Sequence, residues 1–153
     1  VYTVPYGVMV PKEVDNLLLP VPVSGSHIGF STLRMEPCWM AMGQAAGIAS
    51  ALSIDEKVKV QNIDLSRLQD KLVDQKATLM YFKDVDYTSP HFRMIQYLGL
   101  RGYLPEWTAR LQEPVDAATL AAWKKLSGTS LSGIEAGKTT RLATLEMIYR
   151  EIK

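Results

Sequence analysis

A stretch of small and apolar residues in the first half of the chain places the strongest constraint on the fold. Between Met40 and Leu52 the sequence reads MAMGQAAGIASAL and contains no charged residue. Such a segment favours a helix, and a helix that is apolar nearly all round needs burial on several sides. We therefore predict one long buried helix from about Leu33 to Ile54, with Pro37 near its start, where a missing N–H group costs least.

Two glycines inside this predicted helix need an explanation. Gly43 and Gly47 are four residues apart, which places them on one face of a helix. Each glycine costs about 1 kcal/mol of helix stability relative to alanine. Two explanations remain open. Either another group approaches the helix backbone closely, or the helix packs tightly against a neighbouring strand or helix.

The segments on either side of the helix complete the predicted fold. Residues 1 to 23 are rich in β-branched and aromatic residues, which suits short strands. Prolines and glycines interrupt these strands at Pro5, Gly7, Pro20 and Pro22. After residue 82, apolar residues at helical spacing alternate with turns. The predicted fold class is therefore α+β, with a few short N-terminal strands, one long buried helix and a mainly α-helical C-terminal half.

Helix starts can be recognised from residues that cap the first backbone N–H groups. Aspartate, serine and threonine side chains accept hydrogen bonds from these groups. The predicted caps are Asp64, Ser89, Asp116 and either Thr139 or Thr140. Because the pattern changes between residues 75 and 81, we predict two domains, 1–75 and 76–153.

Composition excludes several classes of function. Lys and Arg total 17 and Asp and Glu total 16, and this balance argues against nucleic-acid binding. No apolar run approaches the roughly 18 residues of a transmembrane segment. The single cysteine, Cys38, excludes an internal disulfide framework, and His27 and His91 are too isolated to form a metal site.

The predicted start of the long helix is a candidate binding point. The first N–H groups of a helix have no partner within the helix, and the helix dipole adds partial positive charge there. In this sequence Ser31, Thr32 and Leu33 would present those groups, after a loop rich in serine and glycine. An anionic or carbonyl group is the type of ligand that such a helix end receives.

Several ordered motifs resemble the C-terminal part of FAD-dependent oxidoreductases. The resemblance covers about residues 2 to 54, roughly a third of the chain. It extends to the branch labelled xanthan lyase. The motifs are Pro5-Tyr6-Gly7, Val14-Asp15-Asn16-Leu17-Leu18, Ser26-His27, Ser31-Thr32-Leu33-Arg34-Met35 and Gly43-Gln44-Ala45-Ala46-Gly47.

The resemblance implies a role for these residues in cofactor binding. It implies that the helix N-terminus contacts the flavin ring of FAD and that the glycine face packs near the dinucleotide-binding half of the protein. The residues carried over by the resemblance are Ser26, His27, Ser31, Thr32, Leu33, Gly43 and Gly47.

Two residues near this point are candidates for catalysis, although the catalytic residues are not identified. His27 can lie beside the ring or the substrate, and the alternative is a loop histidine satisfied by backbone groups. Arg34 can bind an anionic substrate, and the alternative is an ion pair with Glu36 or a solvated position.

The sequence also departs from the flavoprotein pattern. It contains no Gly-x-Gly-x-x-Gly after a strand, the motif whose backbone holds the FAD pyrophosphate. We therefore expect a fragment of a longer protein that is inactive alone and does not retain FAD. Its expected partner is the missing dinucleotide-binding half, and a second copy of the chain can pair through the surface left exposed. An exported or cell-envelope location stays open.

The second half resembles S-layer-homology repeats, which are small helical modules that attach proteins to cell-envelope polysaccharide. The motifs are Phe82-Lys83-Asp84-Val85, Gly102-Tyr103-Leu104, Glu113-Pro114-Val115 and Thr140-Arg141-Leu142. Two alternatives to the oxidoreductase therefore remain open, a polysaccharide-processing protein similar to a xanthan lyase and a carbohydrate-binding module. A further alternative for this half is a helical appendage that packs on the flavoprotein body.

Overall fold

The computed structural model describes residues 3–153, and this part of the chain is helical. Short 3₁₀ helices cover Tyr6–Met9 and Val60–Asn62. No strand forms within residues 3–153, where the β-type pairing is one isolated antiparallel bridge between Pro114 and Thr140. The α-helices are α1 (His27–Leu33), α2 (Glu36–Glu56), α3 (Leu65–Asp74), α4 (Phe92–Leu100), α5 (Ala117–Ser127) and α6 (Arg141–Ile152).

The prediction of an α+β fold with N-terminal strands is wrong. Residues 3–23 contain a 3₁₀ helix and extended backbone, joined by isolated bonds such as Leu19 N–H to Met9 C=O at 2.8 Å. The physical reason is that four prolines between residues 5 and 22 have no N–H group to donate, so no ladder of hydrogen bonds can continue. Val1 and Tyr2, where the expected strands begin, lie outside the described residues.

The long helix is present as two helices. Instead of one helix from Leu33 to Ile54, α1 ends at Leu33 and α2 begins at Glu36. Pro37 lies in the first turn of α2, where its missing N–H group is tolerated. In a continuous helix, the ring of Pro37 would clash with the carbonyl of Leu33 and remove a hydrogen bond. The proline therefore sets the break.

The capping residues locate most of the later helix starts correctly. The N–H of Ser66 donates to Asp64 before α3 (2.8 Å), and the N–H of Thr119 donates to Asp116 before α5 (2.8 Å). The hydroxyl of Thr140 caps α6. The start of α4 differs, because the helix begins at Phe92 rather than directly after a Ser89 cap.

The chain divides into two compact units, which we call unit 1 (Val1–Leu79) and unit 2 (Met80–Lys153). In unit 1, one side of α2 supplies the centre of the core. Met42 and Ala46 pack against Met9, Val23 and Leu33. Further along the same side, Ala49 and Leu52 pack against the three buried residues Ile63, Leu68 and Leu72.

Unit 2 has its own core, built from α4, α5 and α6. Ile95, Leu98, Leu145 and Ile148 are completely buried there. Gln96, Arg141 and Thr144 are the buried polar side chains among the described residues of unit 2. Gln96 is fully buried, and its amide forms hydrogen bonds with both the N–H and the C=O of Met80, each at 2.7 Å. Gln96 thus fixes the first residue of unit 2 to α4.

Replacing Gln96 with methionine, which has a similar length, should lower the free energy of unfolding of unit 2 by about 1–3 kcal/mol. The reason is that two backbone groups of Met80 would lose their partners. Urea unfolding followed by circular dichroism measures the change. The control is Gln112→Met at an exposed position, which should change stability by less than about 0.5 kcal/mol. Equal small effects at both positions would contradict this role of Gln96.

Candidate functional site

The first candidate cofactor residues lie at the start of α1. Ser26 caps this helix, since its Oγ accepts a hydrogen bond from the N–H of Gly29 at 3.1 Å. His27 is the first residue of α1, and its side chain is exposed. The cap therefore fixes where the helix begins, and it leaves the imidazole of His27 at the surface.

Ser31, Thr32 and Leu33 do not form the expected helix N-terminus. They lie in the last turn of α1, because the helix already begins at His27. The hydroxyls of Ser31 and Thr32 donate to carbonyl oxygens of the preceding turn at 2.6 and 3.0 Å. Leu33 is buried in the core of unit 1. These three residues therefore offer hydroxyl lone pairs and an apolar side chain instead of free helix-start N–H groups.

The two candidates for catalysis, His27 and Arg34, are both exposed. Within residues 3–153 neither side chain has a hydrogen-bond or ion-pair partner. The alternative of a solvated Arg34 therefore agrees with the structure, and the alternative of an ion pair with Glu36 does not. A proton-abstracting base needs a partner that orients it, and the described residues supply none for His27.

The face of α2 opposite the core forms an apolar stripe, which we call the open stripe. Its residues recur at three- and four-residue spacing and carry no charge. Met40 and Ile54, at the two ends, are 76% and 75% exposed. The members of the open stripe are Met40, Gly43, Gly47, Ala51 and Ile54.

The two glycines of the open stripe face empty space. A Cβ atom added to Gly43 or Gly47 would meet nothing within 4 Å. Packing inside unit 1 therefore does not explain why these two positions lack side chains. Gly99 in α4 is the contrasting case, since a Cβ there would lie 3.0 Å from Cζ of Phe82.

Alanine at Gly43 or Gly47 should raise the free energy of unfolding by about 0.5–1 kcal/mol, because alanine favours a helix and meets no neighbour here. The matched control is Gly99→Ala, which should lower the stability of unit 2, since the added methyl group crowds Phe82. Urea unfolding of the three variants provides the comparison. A loss of stability at both Gly43 and Gly47 would show that the stripe is covered within the chain.

Unit 2 contains a separate cleft of about 150 Å³ at the start of α6. A cleft of this size holds several water molecules, which suits one polar group of a ligand. Aromatic, acidic and basic side chains share its walls, and they include Tyr103, Glu106, Arg110, Trp123 and Arg141.

Arg141 is the central charged residue of the cleft. It is only 7% exposed, and its Nε–H donates to the carbonyl oxygen of Ala109 at 2.9 Å. Its guanidinium carbon lies 5.0 Å from the ring centroid of Trp123. Within residues 3–153 no carboxylate forms an ion pair with Arg141. The terminal nitrogens of its guanidinium group are therefore available to a ligand.

Charges of both signs surround Arg141. Burial lowers the pKa of Arg141 and the positive charge of Arg110 lowers it further, while the carboxylates of Asp116, Glu106 and Glu113 act in the opposite direction. A guanidinium group nevertheless stays protonated in proteins, so the cleft holds a buried positive charge at neutral pH. Arg110 itself forms an ion pair with Glu106, and its Nε lies 4.0 Å from Oε2 of Glu113. Among the described residues of the cleft, Arg141 is thus a cation that forms no ion pair with a carboxylate.

Sequence reasoning did not identify Arg141 and Trp123 as site residues. One local signal points to Arg141: it is the first residue of α6, where the positive end of the helix dipole disfavours a cation. An arginine at the first position of a helix is therefore unfavourable by itself, and a binding role would explain it.

Comparison with known proteins finds a family similarity in the first part of the chain. Residues 1–72 match the family model described as FAD dependent oxidoreductase. The match covers 72 of 153 residues and lies within unit 1. No curated protein and no solved structure matches the chain. Residues 1–72 are therefore similar to an FAD-dependent oxidoreductase region, and no comparison supports the resemblance to a xanthan lyase or to S-layer-homology repeats.

Two further findings concern metal binding and membrane-spanning helices. No group of three or more histidine, cysteine, aspartate or glutamate side chains in residues 3–153 is arranged to hold a metal ion. In the same part of the chain, no helix has both the length and the apolar character needed to cross a membrane.

Proposed function

We propose that residues 1–72 form the part of an FAD-dependent oxidoreductase that packs against the dinucleotide-binding region, beside the flavin. The family match over these residues supports the proposal. Because the sequence lacks the Gly-x-Gly-x-x-Gly fingerprint, the pyrophosphate cradle must come from polypeptide outside this sequence. FAD held in that cradle supplies hydride or electron transfer.

The open stripe of α2 is the observation that carries this proposal. A helix that is apolar on two opposite faces is stable in water only when both faces are covered. Unit 1 covers the face that contains Ala46 and Ala49. The opposite face, with Gly43 and Gly47, has no cover from unit 1 and lets another backbone approach closely. The dinucleotide-binding region is the partner that the family match suggests.

The residues present fit one side of a flavin site and not a complete one. Ser26, which caps α1, and the α1 residues His27, Ser31 and Thr32 lie at exposed positions, where their polar atoms can face the edge of the ring. Leu33 supports α1 from the core. Since none of these residues replaces the pyrophosphate cradle, this chain has no catalytic activity alone in our proposal.

The isolated chain should not retain FAD. Equilibrium dialysis against FAD, read by the visible absorption of flavin, should show no stoichiometric complex, because the pyrophosphate has no backbone cradle here. A stoichiometric complex of the isolated chain with FAD would overturn the claim that the cradle lies elsewhere.

A second measurement tests whether a dinucleotide-binding region packs against the open stripe of α2. A separately produced dinucleotide-binding region of the same oxidoreductase should form a flavin-containing complex with the chain. Gly47→Leu should abolish this complex, because the added side chain would fill the space that the partner backbone needs. Lys71→Leu places the same side chain at an exposed position of α3 and should leave the complex intact. Equal binding by both variants would contradict the proposed packing.

A second candidate function concerns unit 2, and the buried Arg141 favours it. We propose that the cleft binds the carboxylate of an acidic saccharide, as expected of a cell-envelope carbohydrate-binding module. A guanidinium group can bind a carboxylate with two parallel hydrogen bonds. The ring of Trp123 closes one side of the cleft, and its Nε1–H donates to the carbonyl oxygen of Tyr103 at 2.7 Å. The alternative of a polysaccharide-processing enzyme has no comparable support.

Replacing Arg141 with glutamine should weaken binding of glucuronate roughly tenfold or more, since a charged hydrogen-bonded contact is lost. NMR titration of the full chain measures the affinity, and glucose serves as the uncharged ligand. Arg150→Gln removes one positive charge from an exposed position of α6 and should leave the affinity nearly unchanged. If the native chain binds glucuronate no better than glucose, the second candidate function is wrong.

A further inference from the structure

A carboxylate outside the cleft holds the loop that carries the contact to Arg141. Asp84 Oδ1 accepts the N–H of Ala109 at 2.9 Å, and Asp84 Oδ2 accepts the N–H of Arg110 at 2.8 Å. Both oxygens of one side chain are thus used on two consecutive backbone groups. Arg110 has a φ of 52°, in the left-handed region, and such a backbone turn directs successive N–H groups toward one anion.

The same loop presents its carbonyl group on the other side. The oxygen of Ala109 accepts the Nε–H of Arg141 at 2.9 Å, and Ala109 is completely buried. A continuous set of hydrogen bonds therefore runs from Asp84 through the peptide of Ala109 to the guanidinium group in the cleft. Asp84 does not line the cleft itself.

We propose that Asp84 is the positioning residue of the cleft: it holds the loop at residues 109–110 and thereby fixes the guanidinium group of Arg141 for an anionic ligand. This inference rests on the second candidate function, the binding of an acidic saccharide by unit 2. It adds a residue that contacts no ligand and yet determines how well the ligand binds.

The chemistry of the loop explains why a carboxylate is needed. Hydrogen bonds from N–H groups to an ionised oxygen are shorter and stronger than bonds between neutral groups. They also hold Arg110 in a left-handed conformation that a residue with a side chain otherwise disfavours. Asparagine at position 84 keeps one acceptor oxygen and turns an NH₂ group toward the second N–H. The loop then loses one bond and relaxes, and Arg141 loses its fixed acceptor.

The experiment compares Asp84→Asn with Gln96→Met in the full chain. Both changes remove hydrogen bonds to backbone groups of unit 2, and only Asp84 is linked to Arg141. Glucuronate affinity, measured by NMR titration, should fall roughly tenfold in Asp84→Asn, as when a group that orients a binding residue is removed. It should stay close to the native value in Gln96→Met.

A spectroscopic signal reports on the positioning directly. The Nε–H resonance of Arg141, assigned by its loss in Arg141→Lys, should exchange slowly with water in the native chain, because it is buried and hydrogen-bonded to Ala109. In Asp84→Asn it should shift and exchange faster, and in Gln96→Met it should not. If Asp84→Asn does not fold, Asp84→Glu keeps the charge with one more methylene group, and it should give a smaller change in the same direction.

The outcomes separate the two claims. If the native chain fails to bind glucuronate, the second candidate function is wrong, and the Nε–H resonance alone decides whether Asp84 positions Arg141. If the native chain binds and Asp84→Asn changes neither the affinity nor the resonance, the positioning role is wrong. If Gln96→Met lowers the affinity as much as Asp84→Asn, the effect is general destabilisation, and the proposal is overturned.

Discussion

The structure of unit 1 depends on the burial of apolar surface on one face of α2. One face of this helix fills both apolar clusters of the unit, from Met42 through Leu52. The other face carries two large apolar side chains and two glycines and stays open to solvent. A single helix thus supplies the core of unit 1 and carries the exposed face that we propose a partner covers, and the family match includes these residues.

The sequence predicts the helix-capping residues well. Asp64, Asp116 and Thr140 cap helices as expected, because a cap depends on residues within three or four positions. The prediction of N-terminal strands is wrong, because the four prolines of residues 3–23 interrupt backbone pairing that the β-branched residues would otherwise favour. The sequence pattern also does not predict the break before α2, although it places Pro37 near a helix start and Pro37 lies in the first turn of α2.

The candidate sites are less predictable from the sequence than the helix caps are. The glycines of α2 were singled out from their spacing, and only the structure shows that no atom of unit 1 lies where their side chains would be. The cleft of unit 2 was not predicted, because it is assembled by contacts between residues far apart in sequence. Ala109 joins Asp84 and Arg141, which lie 25 and 32 positions away. No local pattern encodes such a meeting point.

The prolines that prevent a ladder in residues 3–23 have a consequence for association between molecules. An apolar extended segment normally presents a continuous row of free N–H and C=O groups, which recruits strands from other chains and starts fibril growth. Here the row is broken at four positions, so the segment is a poor template for such growth despite its apolar composition. Residues 3–23 can therefore be apolar and largely extended without nucleating amyloid fibrils.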